Sequence, residues 1–289
     1  MSIKIRLIIM NFLQFAVWGA YLTSMGSYLV NVGLHEHIGM FYAMQGIVSL
    51  FMPAVLGIIA DRWIPAQKLL SFSHFTAALF MAAAGYYGMT KGAEVDFGTL
   101  FTLYSLSVAF YMPTLALSNS VAYTALDKAG LDTIRTFPPI RIFGTIGFIC
   151  SMWVVDLLGL QNNYGQFFAC AIIGVAYGVY ALTLPECPTS KGDNAKSLVE
   201  ALGLRAFTLF KQKKMAVFFI FSMLLGVSLQ IYQRILPIPT SAVSAVFPEY
   251  AGTFGVQHAN NPDFAVANIR NTLHPADTFL PETLQASSR

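Results

Sequence analysis

Arg141 sits inside the otherwise apolar run Phe137 to Leu160, where a guanidinium is expensive unless it faces a cavity or a partner. Its fixed fork of donors can hydrogen-bond hydroxyls or a carbonyl of a bound solute, or pair with a carboxylate that shuttles protons. The other reading is that it lies one turn into the run and snorkels to nearby headgroups. Thr145 follows four residues on, hence on the same helical face, and Phe148 seven on. Together they offer a hydroxyl and an aromatic platform to a solute with polar groups and a stackable ring. Alternatively the threonine bonds back to its own helix and the phenylalanine meets lipid. Gln230 falls inside a later apolar run, where an unpaired amide is costly; it brings one donor group and one acceptor. The polar residues Gln14, Thr23, Ser27, Ser105, Ser118 and Asn119 either line the same cavity or hydrogen-bond between helices.

The rest of the chain is poor in chemistry. His35-Glu36-His37 places two histidines two apart, which is not zinc spacing on a helix and reads as a solvated loop. Asp156, near the end of an apolar run, reads as a membrane-surface residue. Cys150, Cys170 and Cys187 form no CxxC pair, and no nucleophile triad, phosphate loop or pair of catalytic carboxylates is present. Neither an enzyme, nor a metal centre, nor a bound cofactor is expected.

The elements that must position these residues are membrane spans. Of the 289 residues, 56% are hydrophobic and 11% charged, with a mean hydropathy of +0.60. A soluble domain carries roughly 25% charged residues, so a globular core could not hide this much apolar surface, whereas lipid can. The apolar segments run Ile5 to Val30, Ile38 to Ala60, Leu69 to Met89, Phe97 to Val121, Phe137 to Leu160, Phe167 to Leu184 and Met215 to about Leu236. Each has about 18–26 residues, and about 20 suffice to cross the hydrocarbon core. The first is too long for a signal-peptide core and lacks an A-x-A site, so it is expected to stay as a span.

Lysine and arginine orient the bundle. Lys4 and Arg6 precede the first span, Arg62 and Lys68 follow the second, and Lys128 and Arg135 follow the fourth. Lys191, Lys196, Arg205, Lys211, Lys213 and Lys214 lie between the sixth and seventh, while the opposite side has only Lys91. Positive residues stay inside, so the N-terminus and the central loop are expected in the cytoplasm of a multi-pass (inner) membrane protein. The net charge of +3 is too small to suggest nucleic acid. The expected organisation is a six-helix transmembrane half over 1–184, a basic cytoplasmic loop over 185–214, a seventh span over 215–236 and a tail over 237–289. Six spans, a basic loop and a new span are the layout of a transporter with two six-helix halves.

Gly57-Ile-Ile-Ala-Asp61-Arg62-Trp63, after the second span, resembles the G-x-x-x-D-R signature of the major facilitator superfamily. Gly57 is expected to let two helices approach closely. The resemblance implies that Asp61 and Arg62 help latch the cytoplasmic side closed, in part against the second half; the alternative is that Arg62 anchors a helix end. Longer strings narrow the family: Phe12-Leu-Gln-Phe-Ala-Val-Trp18-Gly, Tyr111-Met-Pro-Thr-Leu, Phe137-Pro-Pro-Ile-Arg141-Ile-Phe-Gly-Thr145-Ile-Gly-Phe148 and Phe218-Phe-Ile-Phe-Ser-Met-Leu-Leu-Gly226. They resemble the nucleoside:proton symporters of that superfamily from residue 1 to about Gln230. The resemblance implies an all-α integral membrane fold, nucleosides such as uridine and protons as partners, and a monomer. It implies that Arg141, Thr145, Phe148 and Gln230 contact the nucleoside. The family also has an asparagine three residues beyond the glutamine, where this chain has Gln233.

From about Ile231 the likeness falters. The stretch to Val246 loses span-like hydropathy, Phe247 to Asn260 again resembles the family, and Asn261 to Arg289 is polar and proline-containing. Codons for Ile269 to Leu284 read one base later are compatible with the family's eighth span and its basic end. Shifting Tyr232 to Leu236 likewise permits the missing asparagine. Single-base insertions or deletions across 231–246 and 261–289 are therefore expected, and the nucleotide sequence decides; the alternative is a natural short variant. On this reading the chain lacks the family's proton-coupling carboxylate and is expected not to concentrate uridine. Two other functions remain open: transport of another solute such as a sugar or drug, and a membrane assembly subunit without transport.

Overall fold

The computed structural model describes residues 2–187 and 212–235, all of whose long elements are helices. The chain divides into two units, Met1–Gln212 and Lys213–Arg289, each taken by itself. In the first unit the order is α1 (Ile3–Gly19), α2 (Met25–Asn31), a 3-10 turn at His35–His37, α3 (Ile38–Arg62), α4 (Ala66–Lys91), α5 (Phe97–Lys128), α6 (Thr133–Leu157) and α7 (Gly165–Ala181). The second unit contributes α8 (Lys213–Ile235). Most of the 185–214 loop, the 237–289 tail and the reading-frame expectation for 261–289 lie outside the described residues. The 231–246 part of that expectation is described only as far as the backbone of Ile235.

His35–Arg62, Ala66–Lys91, Phe97–Lys128 and Thr133–Leu157 are each long and apolar enough to cross a membrane. The first expected span is not one helix. It breaks over residues 20–24 between α1 and α2, with no proline or glycine in the break. Its backbone groups are recovered locally and from neighbouring helices. The Leu22 and Met25 N–H groups donate to Trp18 and Tyr21 carbonyls at 3.0 and 2.8 Å. The Tyr42 hydroxyl of α3 donates to the Leu22 carbonyl at 2.8 Å. Gln166 Nε2 of α7 donates to the Ser24 carbonyl at 3.5 Å, while the Ser24 hydroxyl donates to Gln166 Oε1 at 2.9 Å. Irregular backbone at membrane depth is tolerated where such partners satisfy it.

Helix ends follow local rules. Asp96 caps α5 by accepting the Thr99 N–H at 2.9 Å, and Asp132 caps α6 by accepting the Ile134 and Arg135 N–H groups. At the other end of α5, Gly130 takes φ +66°. There the Gly130 N–H donates to the Asp127 carbonyl and the Leu131 N–H to the Leu126 carbonyl. This paired closure needs a left-handed residue, which glycine supplies without a Cβ clash.

α1 packs along α6, α4 along both α5 and α7, and α3 along α5. The α1–α6 approach is set by small residues: a Cβ on Gly147 would collide with the Phe12 backbone, and one on Gly19 with the Phe148 carbonyl. At Gly57 a Cβ meets no atom within 4 Å among the described residues, so the close α1–α6 approach rests on Gly147 and Gly19. After α7 the chain is fastened to α4 and α5. The Cys187 N–H donates to Gln67 Oε1 at 3.0 Å, and Lys128 Nζ to the Glu186 carbonyl at 2.6 Å.

Candidate functional site

The close α1–α6 approach lets Arg141 turn back onto α1. Its guanidinium carbon lies 3.8 Å from the centroid of the Phe15 ring, a cation–π contact. Gly144 makes the room: a Cβ there would press on both the Phe15 ring and Arg141 Nη1. The guanidinium therefore folds over an aromatic face of the neighbouring helix. Seven residues on, Phe148 meets Trp18 of α1 edge to face, with centroids 6.1 Å apart. Trp18 in turn lies 6.2 Å from Phe15. Phe15, Trp18, Arg141 and Phe148 thus form one cationic and aromatic surface across two helices. Thr145 is exposed on the same helix between the two α6 members.

A buried polar layer anchors this surface. Trp18 Nε1 donates to Gln45 Oε1 of α3 at 3.0 Å, and Gln45 Nε2 donates to the Tyr104 hydroxyl of α5 at 2.7 Å. One turn back on α1, Gln14 Nε2 donates to Thr114 Oγ1 at 2.9 Å, and its backbone carbonyl accepts from the Tyr111 hydroxyl at 2.7 Å. The rotation of α1 is therefore fixed from α3 and α5, which determines where Phe15 and Trp18 point. This surface can offer donors to an oxygen-rich solute and ring faces or edges to a planar one.

The structure brings Arg141, Thr145 and Phe148 together on α6. Gln230 lies on α8 in the second unit, and its side chain falls outside the described residues, as does that of Gln233. Gly57, Asp61 and Arg62 occupy the last turns of α3, where Asp61 and Arg62 are exposed. Among the other polar candidates, Gln14 makes the interhelical bond, whereas Ser118 bonds back to the Leu115 carbonyl of its own helix. Thr23 and Ser27 are exposed. His37 departs from the solvated-loop expectation: it is half-buried and stacks on Phe97 with centroids 4.1 Å apart.

Phe15, Trp18, Gln45 and Tyr104 were not singled out from the sequence. Their signal was present in part, since Gln14, Phe15 and Trp18 lie in one quoted string at spacings of one and four. Nothing in the string, however, says which α1 residues face α6.

The family model described as "Nucleoside H+ symporter" matches residues 1–237. The xanthosine permease of Escherichia coli (strain K12) is 41% identical over 263 residues, 89% of this chain and 60% of its own length. The nucleoside permease NupG of the same organism is 41% identical over 271 residues, 90% of this chain and 61% of its own length. The chain thus spans about 60% of the length of the curated relatives it matches. A crystal structure of nucleoside transporter NupG superposes with a TM-score of 0.70 at 36% identity, covering 96% of this chain and 67% of that one. A mutant of that transporter gives a TM-score of 0.73 at 39% identity, over 94% and 66%.

Proposed function

We propose, for a chain that belongs to the nucleoside H+ symporter family, that it takes part in proton-coupled nucleoside transport and supplies one wall of the nucleoside site. The observation that carries this reading is the Arg141–Phe15 and Phe148–Trp18 surface on the glycine-locked pair of α1 and α6. Phe15 covers one face of the guanidinium, and the donors at its edge address ribose hydroxyls or a base carbonyl. Trp18 and Phe148 offer aromatic surface to the base, and Thr145 adds a hydroxyl. Gln230, from the seventh span, reads a base edge. Uridine is the proposed test substrate.

Asp61 and Arg62 act in the cytoplasmic latch, at the end of α3 where both are exposed. The N-terminus lies in the cytoplasm of an inner-membrane monomer. Among the described residues of α1 to α7 the acidic side chains stand at or near helix ends, so the coupling carboxylate belongs to the second half. Alternating access follows from rocking one half against the other.

Uridine binding to the purified chain in lipid nanodiscs tests the site. Arg141→Ala is expected to weaken it roughly 10- to 100-fold, the equivalent of about 1.5–3 kcal/mol for hydrogen bonds from a charged donor. Arg141→Lys keeps the charge but loses the planar fork, and is expected to fall between. Unlabelled glucose should not displace uridine. Displacement by glucose, or an Arg141→Ala protein that binds as wild type, would refute the assignment.

A further inference from the structure

A cavity of about 10 Å³ lies where α1, α4, α5 and α7 meet, lined by Tyr21, His74, Ser107, Tyr111 and Cys170 among others. His74 and Tyr21 are each 1% exposed, yet among the described residues His74 Nδ1 has no hydrogen-bond partner, and the Tyr21 hydroxyl, beside the ring of Tyr104, makes no hydrogen bond of good geometry. Both residues line this space.

The proton positions around it follow from a backbone carbonyl, which can only accept. The Thr114 hydroxyl donates to the Tyr111 carbonyl at 2.5 Å. Toward Gln14 it therefore accepts, so Gln14 presents its amide nitrogen there, at 2.9 Å. That leaves Gln14 Oε1 facing His74 Nε2 at 3.3 Å. An amide oxygen cannot donate, so Nε2 carries the proton and Nδ1 needs a donor. The Ser107 and Tyr111 hydroxyl protons are already spent on the Ala77 and Gln14 carbonyls, at 2.7 Å each. Both oxygens keep acceptor capacity, and Tyr21 keeps its proton. The volume is about that of one water, and the polar groups on its otherwise apolar lining supply two to four partners.

We propose that this cavity is a binding site for a single ordered water that donates to His74 Nδ1, accepts from the Tyr21 hydroxyl and gives its second proton to the Tyr111 or Ser107 oxygen. The water completes a clamp from α4 onto Gln14, next to the residue that carries Arg141. It also assigns His74 a role in a symporter family where a buried histidine invites the opposite reading. His74 is a neutral positioning residue for α1, outside the path of the coupling proton. Among the described residues, the titratable groups facing it are Tyr21 of the α1–α2 break, Tyr111 of α5, and Cys170 and Tyr177 of α7, none of them a carboxylate.

Solid-state 15N NMR of the 289-residue chain, labelled at its five histidines and reconstituted in lipid, tests this without substrate. Its result is independent of the transport reading. His74 is identified through its contact with the Tyr177 ring, 4.1 Å away. The expected signature is a protonated Nε2 and an unprotonated Nδ1 at the shift of a hydrogen-bonded acceptor, both retained in Tyr21→Phe. A protonated Nδ1, an imidazolium, or a bare Nδ1 in the wild type would overturn the proposal. So would an Nδ1 that becomes bare in Tyr21→Phe, which would mean a direct tyrosine bond with no water between.

Discussion

At Gly147 a single hydrogen sets how close α1 and α6 can run. A Cβ there meets the carbonyl oxygen, carbonyl carbon and Cα of Phe12, all backbone atoms that cannot swing aside. Gly147→Ala is therefore expected to cost about 1–3 kcal/mol, the usual range for overpacking a close contact. It should also weaken uridine binding, because Phe15 and Arg141 meet across the same pair of helices. Gly57→Ala, into open space among the described residues, is expected to leave the stability of the first unit unchanged. Melting temperatures of the two detergent-solubilised variants check the contrast; equal losses would refute it. The glycine-rich string around Arg141 was legible as a motif, and so was the shared face of Arg141, Thr145 and Phe148. Which glycine makes the close contact was not. Spacing places residues on a common helical face but does not name the helix that face will meet, so the Gly147 contact with the Phe12 backbone was not singled out.

Element boundaries were legible where an apolar run ended near a local cap and opaque where the cause lay far along the chain. The apolar stretches behind α3 and α4 came through within about three residues at each end, whereas α5 runs on past Val121 to Lys128 and α6 spans Thr133–Leu157 instead of Phe137 to Leu160. The break between α1 and α2 did not, because residues 20–24 carry no local breaker and are held by Tyr42 and Gln166 from other helices. The start of α5 illustrates the local case and gives a pH dependence. Hydrogen bonds from the Thr99 N–H and hydroxyl hold the Asp96 carboxylate below its ordinary pKa. A depressed carboxylate stabilises the fold above its unfolded-state pKa, and that contribution fades as pH falls through the folded value. The α5 N-terminus is therefore expected to lose protection against hydrogen exchange only as pH falls below 3.8, the ordinary aspartate value. Asp96→Asn, which can still accept from Thr99 but does not titrate, should flatten that dependence. Wild type and variant losing protection in parallel would rule the cap out as its source.

On the scale of the whole bundle, charge placement and helix length together make a topological prediction. α4 runs from Ala66 to Lys91, 26 residues or about 39 Å at 1.5 Å per residue, which exceeds a hydrocarbon core of roughly 30 Å. Lys68 and Lys91 stand near its two ends and so belong on opposite faces of the membrane. Lys68 shares its side with Arg62, Lys128 and Arg135, since each consecutive span reverses direction. The excess of lysine and arginine on that side predicts that it faces the cytoplasm. Lys91→Cys, in a background with Cys150, Cys170 and Cys187 replaced by alanine, is expected to react with a membrane-impermeant maleimide added to intact cells. Lys68→Cys should react only after permeabilisation. Both positions are exposed in the fold, so burial within the bundle would not explain a difference. The reverse pattern would turn the bundle over and place Asp61 and Arg62 on the outer face; labelling of both from outside would mean that α4 does not span.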